Sequence, residues 1–185
     1  MDEFAYELKI PKERVAVLIG KDGSVKKGIE EETKTKINVD SKEGDVVITG
    51  EDALLLYAAR EVVRAVGRGF NPDIATLLLK QDYTFEVIPI NDFVTENHLT
   101  RIKGRIIGRE GKARKIIEHL TDANICVYGK TVGLIGTYEG LSAAKRAVEG
   151  LLSGSPHSSI YKFLEKHKKN MRKAEILGDK NNRYR

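Results

Sequence analysis

Residues 20–23 and 108–111 share one four-residue pattern, glycine, two polar residues, glycine, and the flanks of the two copies match residue by residue. Gly108 follows Gly20 by 88 positions, and the same offset pairs Ile107 with Ile19, Lys115 with Lys27, Ile117 with Ile29, Ile125 with Ile37 and Val127 with Val39. Beyond a polar turn the offset falls to 86, pairing Gly136 with Gly50, Ala144 with Ala58 and Val148 with Val62. One two-residue deletion in a turn thus keeps every element in register. A chain built this way folds as two copies of one small unit.

The unit reads strand, helix, corner, helix, strand, strand, helix. In the first copy, residues 4–10 are strand-forming and closed by Pro11, and Val15, Leu18 and Ile19 fall at helical spacing. Ser24 is expected to cap the helix after the corner, Ile37 and Val39 alternate along a strand, and Asp52 is expected to cap a long helix from Ala53. In the second copy, Tyr83–Ile90 is a strand and Glu96–Ile107 one helix. Lys112–Leu120 is the next helix, Asn124–Tyr128 and Thr131–Ile135 form a hairpin, and Tyr138–Leu152 is the long helix. Gly67, Gly69 and Pro72 mark the boundary between copies, and the apolar run Ile74–Leu79 is expected to pack a short helix on one or both. After Gly154 and Pro156, Ile160, Phe163, Leu164, His167 and Met171 line one face of a basic amphipathic helix.

The second corner is the more cationic. Six basic residues lie between Lys103 and Lys115, against Glu110 as the one acid. Glycines let the backbone turn tightly and approach a ligand, and the helix that starts there aims its positive dipole end at the same place, which suits a phosphate. A lone pattern of this length more often marks a plain corner with a solvated basic face. Its recurrence in register favours a retained task. Arg105, Arg109, Lys112, Arg114 and Lys115 gather around this anion site. Lys21, Lys26 and Lys27 do so in the first copy, where Asp22 and Glu30–Glu32 weaken the field. Residues 1–81 hold 13 basic and 15 acidic side chains, net −2, while residues 82–185 hold 19 and 12, net +7. A polyanion is therefore expected mainly on the second half.

Other chemistries find little support. One cysteine, Cys126, rules out an internal disulfide framework, and the four histidines show no metal spacing, so no metal or cofactor is expected. No nucleophile is paired with a base, and no catalytic residue is assigned. The phosphate-loop pattern of nucleotide hydrolases fails, because Ile106 stands where its first glycine belongs and Ala113 follows Lys112. Aromatic residues are 6% of the chain and absent from both corners, so stacking on aromatic rings is not the main device. No apolar run approaches the length of a membrane span and the N-terminus lacks a secretory signal, so a cytoplasmic protein without a membrane partner is expected.

Ile19-Gly20-Lys21-Asp22-Gly23 and Ile107-Gly108-Arg109-Glu110-Gly111, each between two helices, resemble the hallmark of the K-homology (KH) domain. The resemblance covers roughly residues 4–153 and implies an α+β fold: two type I KH domains, each β-α-α-β-β-α, with a C-terminal amphipathic helix. Its boundaries are 1–79 for the first domain and its connecting helix, 80–155 for the second, 156–177 for the basic helix and 178–185 for a disordered tail. KH modules clamp about four unpaired nucleotides with this loop. The resemblance carries that role to Gly20, Lys21, Asp22, Gly23, Lys26 and Lys27, and to Ile107, Gly108, Arg109, Glu110, Gly111, Lys112, Arg114 and Lys115. It makes Ile29, Ile37 and Val39, then Ile117, Ile125 and Val127, the groove floor. One departure stands out: the third residue after the second glycine is usually apolar in KH domains but is Lys26 and Arg114 here. A cation there either adds a phosphate contact or narrows the groove.

The tandem arrangement, the stretch GREGKARKIIE and the basic tail are similar to the archaeal tandem-KH ribosome-assembly family, related to the eukaryotic partner-of-Nob-one factor. That likeness implies a non-enzymatic protein that binds single-stranded RNA near the 3′ end of small-subunit ribosomal RNA during subunit biogenesis and pre-rRNA processing. A Nob-one-like endonuclease and translation initiation factors are the protein partners it suggests. Two other readings fit the residues alone: an interaction scaffold in which one or neither KH domain holds RNA, and a regulator that binds single-stranded DNA.

Overall fold

The computed structural model describes residues 4–182. In the first copy, β1 (Phe4–Lys9) leads into α1 (Lys12–Ile19), the corner at 21–23, α2 (Ser24–Thr33), β2 (Lys36–Val39), β3 (Asp45–Gly50) and α3 (Ala53–Gly67). A short helix, α4 (Pro72–Ala75), and a further turn at Thr76–Leu79 lead to the second copy. That copy comprises β4 (Tyr83–Pro89), α5 (Leu99–Ile107), the corner at 109–111, α6 (Lys112–Thr121), β5 (Asn124–Tyr128), β6 (Thr131–Thr137) and α7 (Tyr138–Leu152). Both sheets are antiparallel with the last strand central, in the orders β1-β3-β2 and β4-β6-β5. This is the α+β arrangement expected of two type I KH domains.

Several local expectations shift. Gly23, not Ser24, is the N-cap of α2, and no side chain caps that helix. Residues 96–98 form a separate 3-10 turn before α5, so the expected single helix from Glu96 is divided. Asp52 does cap α3, its Oδ1 accepting from Leu54 N at 2.8 Å and Leu55 N at 3.0 Å. The last helix, α8 (His157–Asn182), runs past the expected end at 177, and 183–185 lie outside the described residues.

Each copy packs its helices on one sheet face around a core of its own. Val15, Leu18, Ile29, Ile37, Val46, Ile48, Leu56 and Val62 fill the first. Ile102, Ile106, Ile117, Ile125, Val132, Leu134, Leu141 and Val148 fill the second, which α8 extends with Ile160 and Leu164. The other sheet faces differ. Along β3 burial alternates, and Asp45, Val47 and Thr49 face outward. Along β6, residues 132–136 are all buried, because the outer face lies on the first copy. Phe70 supplies the contact, meeting Phe85 edge-on at 5.9 Å between centroids, with Arg64 5.2 Å over the Phe85 ring. Ile135 joins the first core outright, with Ile74, Leu77 and Leu79 of the connector packed beside it. A Cβ on Gly133 would stand 2.6 Å from Phe70, so only glycine fits there. Cys126 is half-buried on the same face, and burial pushes its thiol pKa up while Arg14 and Arg114 pull it back.

Candidate nucleic-acid interface

The two corners have one backbone shape. Gly20, Asp22 and Gly23 have φ of 74°, 54° and 79°, and Gly108, Glu110 and Gly111 have 73°, 55° and 74°. Left-handed φ at three positions of four demands glycine at two of them, and the non-glycine third is held there against its preference. The two glycines of the second corner serve different ends. A Cβ at Gly108 would sit 2.7 Å from the Ala113 backbone nitrogen, so this glycine lets α5 and α6 meet closely, whereas nothing lies within 4 Å of one at Gly111. Gly111 leaves open space where a sugar–phosphate chain can approach. No side chain caps α6, so its positive end faces the loop uncovered.

The expected cations divide. Arg109, Lys112 and Lys115 are exposed and, with Glu110, line one cleft of about 780 Å³ between α6 and α8. Arg105 turns away: its guanidinium donates to the Ser155 carbonyl at 2.7 Å, while its own carbonyl is bonded to the His157 ring. It anchors the start of α8 rather than lining the cleft with Arg109, Lys112 and Lys115. In the first copy Lys21 is exposed and Lys27 reaches back to the Asp22 carbonyl at 3.4 Å.

The residues expected on the groove floor differ in exposure. Ile29, Ile37, Ile117 and Ile125 are at most 3% exposed, because helix and strand both direct those side chains into the cores. Val39, Val127, Ile19 and Ile107 remain half-exposed. The part of Ile37 and Ile125 that reaches the groove is backbone, on the free edges of β2 and β5. Glu30 accepts the Ile37 N–H at 2.7 Å and Glu118 accepts the Ile125 N–H at 2.8 Å. In the sequence Glu30 reads only as part of an acidic run and Glu118 carries no role; the signal of their shared one is that both obey the 88-residue offset and follow Lys26 and Arg114 by four positions.

At this point the grooves part. Lys26 Nζ donates to the Ile37 carbonyl at 2.8 Å and lies 3.7 Å from Glu30. A strut therefore spans the first groove, and both edge groups of Ile37 are occupied. Arg114 pairs with Glu118 at 3.7 Å but crosses to no carbonyl, and its buried Nε has no hydrogen-bond partner. Among the described residues, no side chain donates to the Ile125 carbonyl. The second groove thus leaves the Ile125 carbonyl, an acceptor beside its loop, without a side-chain donor.

A family model described as eukaryotic type KH-domain (KH-domain type I) matches residues 84–169, and one described as KH domain matches residues 5–65. A KH domain-containing protein of Methanocaldococcus jannaschii is 50% identical over 174 residues, covering 91% of this chain and 76% of its own length. The RNA-binding protein pno-1 of Caenorhabditis elegans is 34% identical over 115 residues, which are 60% of this chain and 42% of that protein. The pre-rRNA-processing protein pno1 of Aspergillus fumigatus is 31% identical over 119 residues, covering 62% of this chain and 47% of its own. The chain therefore spans less than half the length of these two eukaryotic relatives. Among solved structures, the a/eIF2alpha–aDim2p–rRNA complex of Pyrococcus horikoshii contains a chain superposing with a TM-score of 0.87 at 48% identity, covering 91% of this chain and 96% of that one.

Proposed function

Since the chain belongs to the tandem KH-domain family of pno1 and archaeal Dim2p, we propose that it holds a short unpaired segment of small-subunit ribosomal RNA during pre-rRNA processing and subunit assembly. The observation that carries this reading is the second groove. There a glycine-hinged loop and an uncapped helix end stand between the cations Arg109, Lys112 and Lys115 on one side of α6 and the β5 edge, with the free Ile125 carbonyl, on the other. Phosphates lie along the loop and helix end, and bases turn inward to the strand edge. The segment bound lies near the RNA's 3′ end. The protein acts by holding the strand rather than by catalysis, in the cytoplasm, and leaves cutting to a Nob-one-like endonuclease. An initiation-factor subunit is a second protein partner, supported by the complex of the Pyrococcus relative.

The first domain fits a scaffolding role better, because the Lys26 strut closes the strand edge that a base would use. The test is titration of single-stranded RNA against the double variant Arg109→Asp with Glu110→Asp. Tenfold weaker binding or more, about 1.4 kcal/mol, is expected with the fold unchanged by circular dichroism. Affinity equal to that of the unmodified protein would refute the site. Preference for DNA over RNA in direct competition would favour the regulator reading.

A further inference from the structure

The cleft at the second loop does not end at the KH domain. Arg109, Glu110, Lys112 and Lys115 form its near end, Ile116, Leu120 and Tyr161 its floor, and His119 and Glu165 its far end. A second cleft, of about 410 Å³, shares His119, Leu120 and Glu165 and continues between Lys168, Lys169, Arg172, Lys173 and Ile176. Together they make one furrow between α6 and α8. The two helices run in the same direction, because Tyr161 faces the first turns of α6 while Lys168 donates to the His119 carbonyl and lies 3.5 Å from Asp122. From Tyr161 to Ile176 the furrow follows fifteen residues of helix, about 22 Å.

Its lining is that of a single-strand groove: an apolar floor with cations along the rim. Tyr161, Ile116 and Leu120 are half-buried, and Ile176 is 60% exposed. Among the described residues, Arg109, Lys112, Lys115 and Lys169 have no acid within ion-pair distance. Arg105 and His157, both tied to the turn before α8, fix the helix against the domain, so the rim is held at a set distance from the loop. Arg109 and Glu110 of the loop line the near end of the furrow, which runs along the face of α6 opposite Arg114 and Glu118, so a strand passing over the loop reaches both sides of α6.

We propose that α8 is the outer wall of an extended RNA site, and that nucleotides flanking the clamped segment lie between α6 and α8 with their phosphates on Lys169, Arg172 and Lys173. This inference rests on the groove reading above and lengthens the footprint beyond the roughly four nucleotides of a single KH domain. The test compares RNAs of about five and about twelve nucleotides, in the full chain, with the variant Lys169→Glu, Arg172→Glu, Lys173→Glu. All three positions are exposed, and the residues that seat α8, Ile160 and Leu164, are untouched. The unmodified protein should bind the longer RNA more tightly. The variant should lose tenfold or more on the longer RNA, keep its affinity for the shorter one, and reduce the salt slope by about two. Equal loss on both lengths, or none on either, would overturn the extended site, and the latter would leave the furrow as a surface for a protein. Failure of the unmodified chain to bind the five-nucleotide RNA would overturn the groove reading itself, and this inference with it.

Discussion

The two grooves have the same loop, the same backbone angles and the same glutamate on the strand edge, yet one is closed and the other open. In the first, Lys26 bridges to the Ile37 carbonyl. In the second, the arginine at the equivalent position pairs with Glu118 and donates nothing to the Ile125 carbonyl. The backbone of a duplicated unit can therefore stay fixed while one side chain decides access. Charge points the same way: Glu30, Glu31 and Glu32 follow the first corner, while Glu118 is the one acid of α6. The sheets behind the grooves differ as well, one bare and one pressed against its neighbour.

The sheets give the largest expected effect. Phe70→Ala removes the wedge from the covered face and should cost about 3–5 kcal/mol of stability, as for other buried aromatics, whereas Val47→Ala on the bare face should cost under about 1 kcal/mol. Thermal melts that shift equally for the two would erase the distinction between the faces. At the loops, the tenfold loss expected for the Arg109/Glu110 variant should shrink to under about twofold for Lys21→Asp, a contrast read by the same RNA titration. A smaller effect sharpens the groove comparison itself. Arg114→Lys lets the shorter cation copy the strut of the first domain, and RNA affinity should fall about fivefold, near the value of one hydrogen bond. Unchanged affinity there would show that the strut does not set the difference. The reverse opening, Lys26→Ala, should raise affinity by about twofold at most. The smallest effect is chemical. With its pKa raised by burial, Cys126 reaches the reactive thiolate only at higher pH than a free cysteine, so alkylation should be slow at pH 8 and still climbing past the ordinary thiol value of about 8.5. A rate that levels off below that value would mean the interface leaves the thiol open.

Much of this plan was legible in the residues. The repeat offset located both corners, both hairpins and the helix at Tyr138–Leu152, because glycines at left-handed positions and helical spacing are local signals. Orientation was less legible. Ile29, Ile37, Ile117 and Ile125 sit at the spacing of a groove floor and equally at that of a core, and only the packed sheet shows that they point inward. Arg105 lies about one helical turn of sequence from Arg109 but is bonded elsewhere, and its partner, the Ser155 carbonyl, is 50 residues away. The covered face of β6 did leave a trace: Val132-Gly-Leu-Ile-Gly136 is continuously apolar or small, whereas Val46-Val47-Ile48 is flanked by polar Asp45 and Thr49. A strand buried on both faces reads that way.

Gly133 carries a consequence for the order of the two domains. The position equivalent to it in the first copy is Val47, whose side chain would collide with a ring seated as Phe70 is seated on Gly133. A chain with its halves transposed would drive that ring into a branched residue and leave Ile135 and Phe85 facing water. The two domains are therefore not interchangeable on this face: a residue without a side chain admits the ring in one, and a branched residue would bar it in the other.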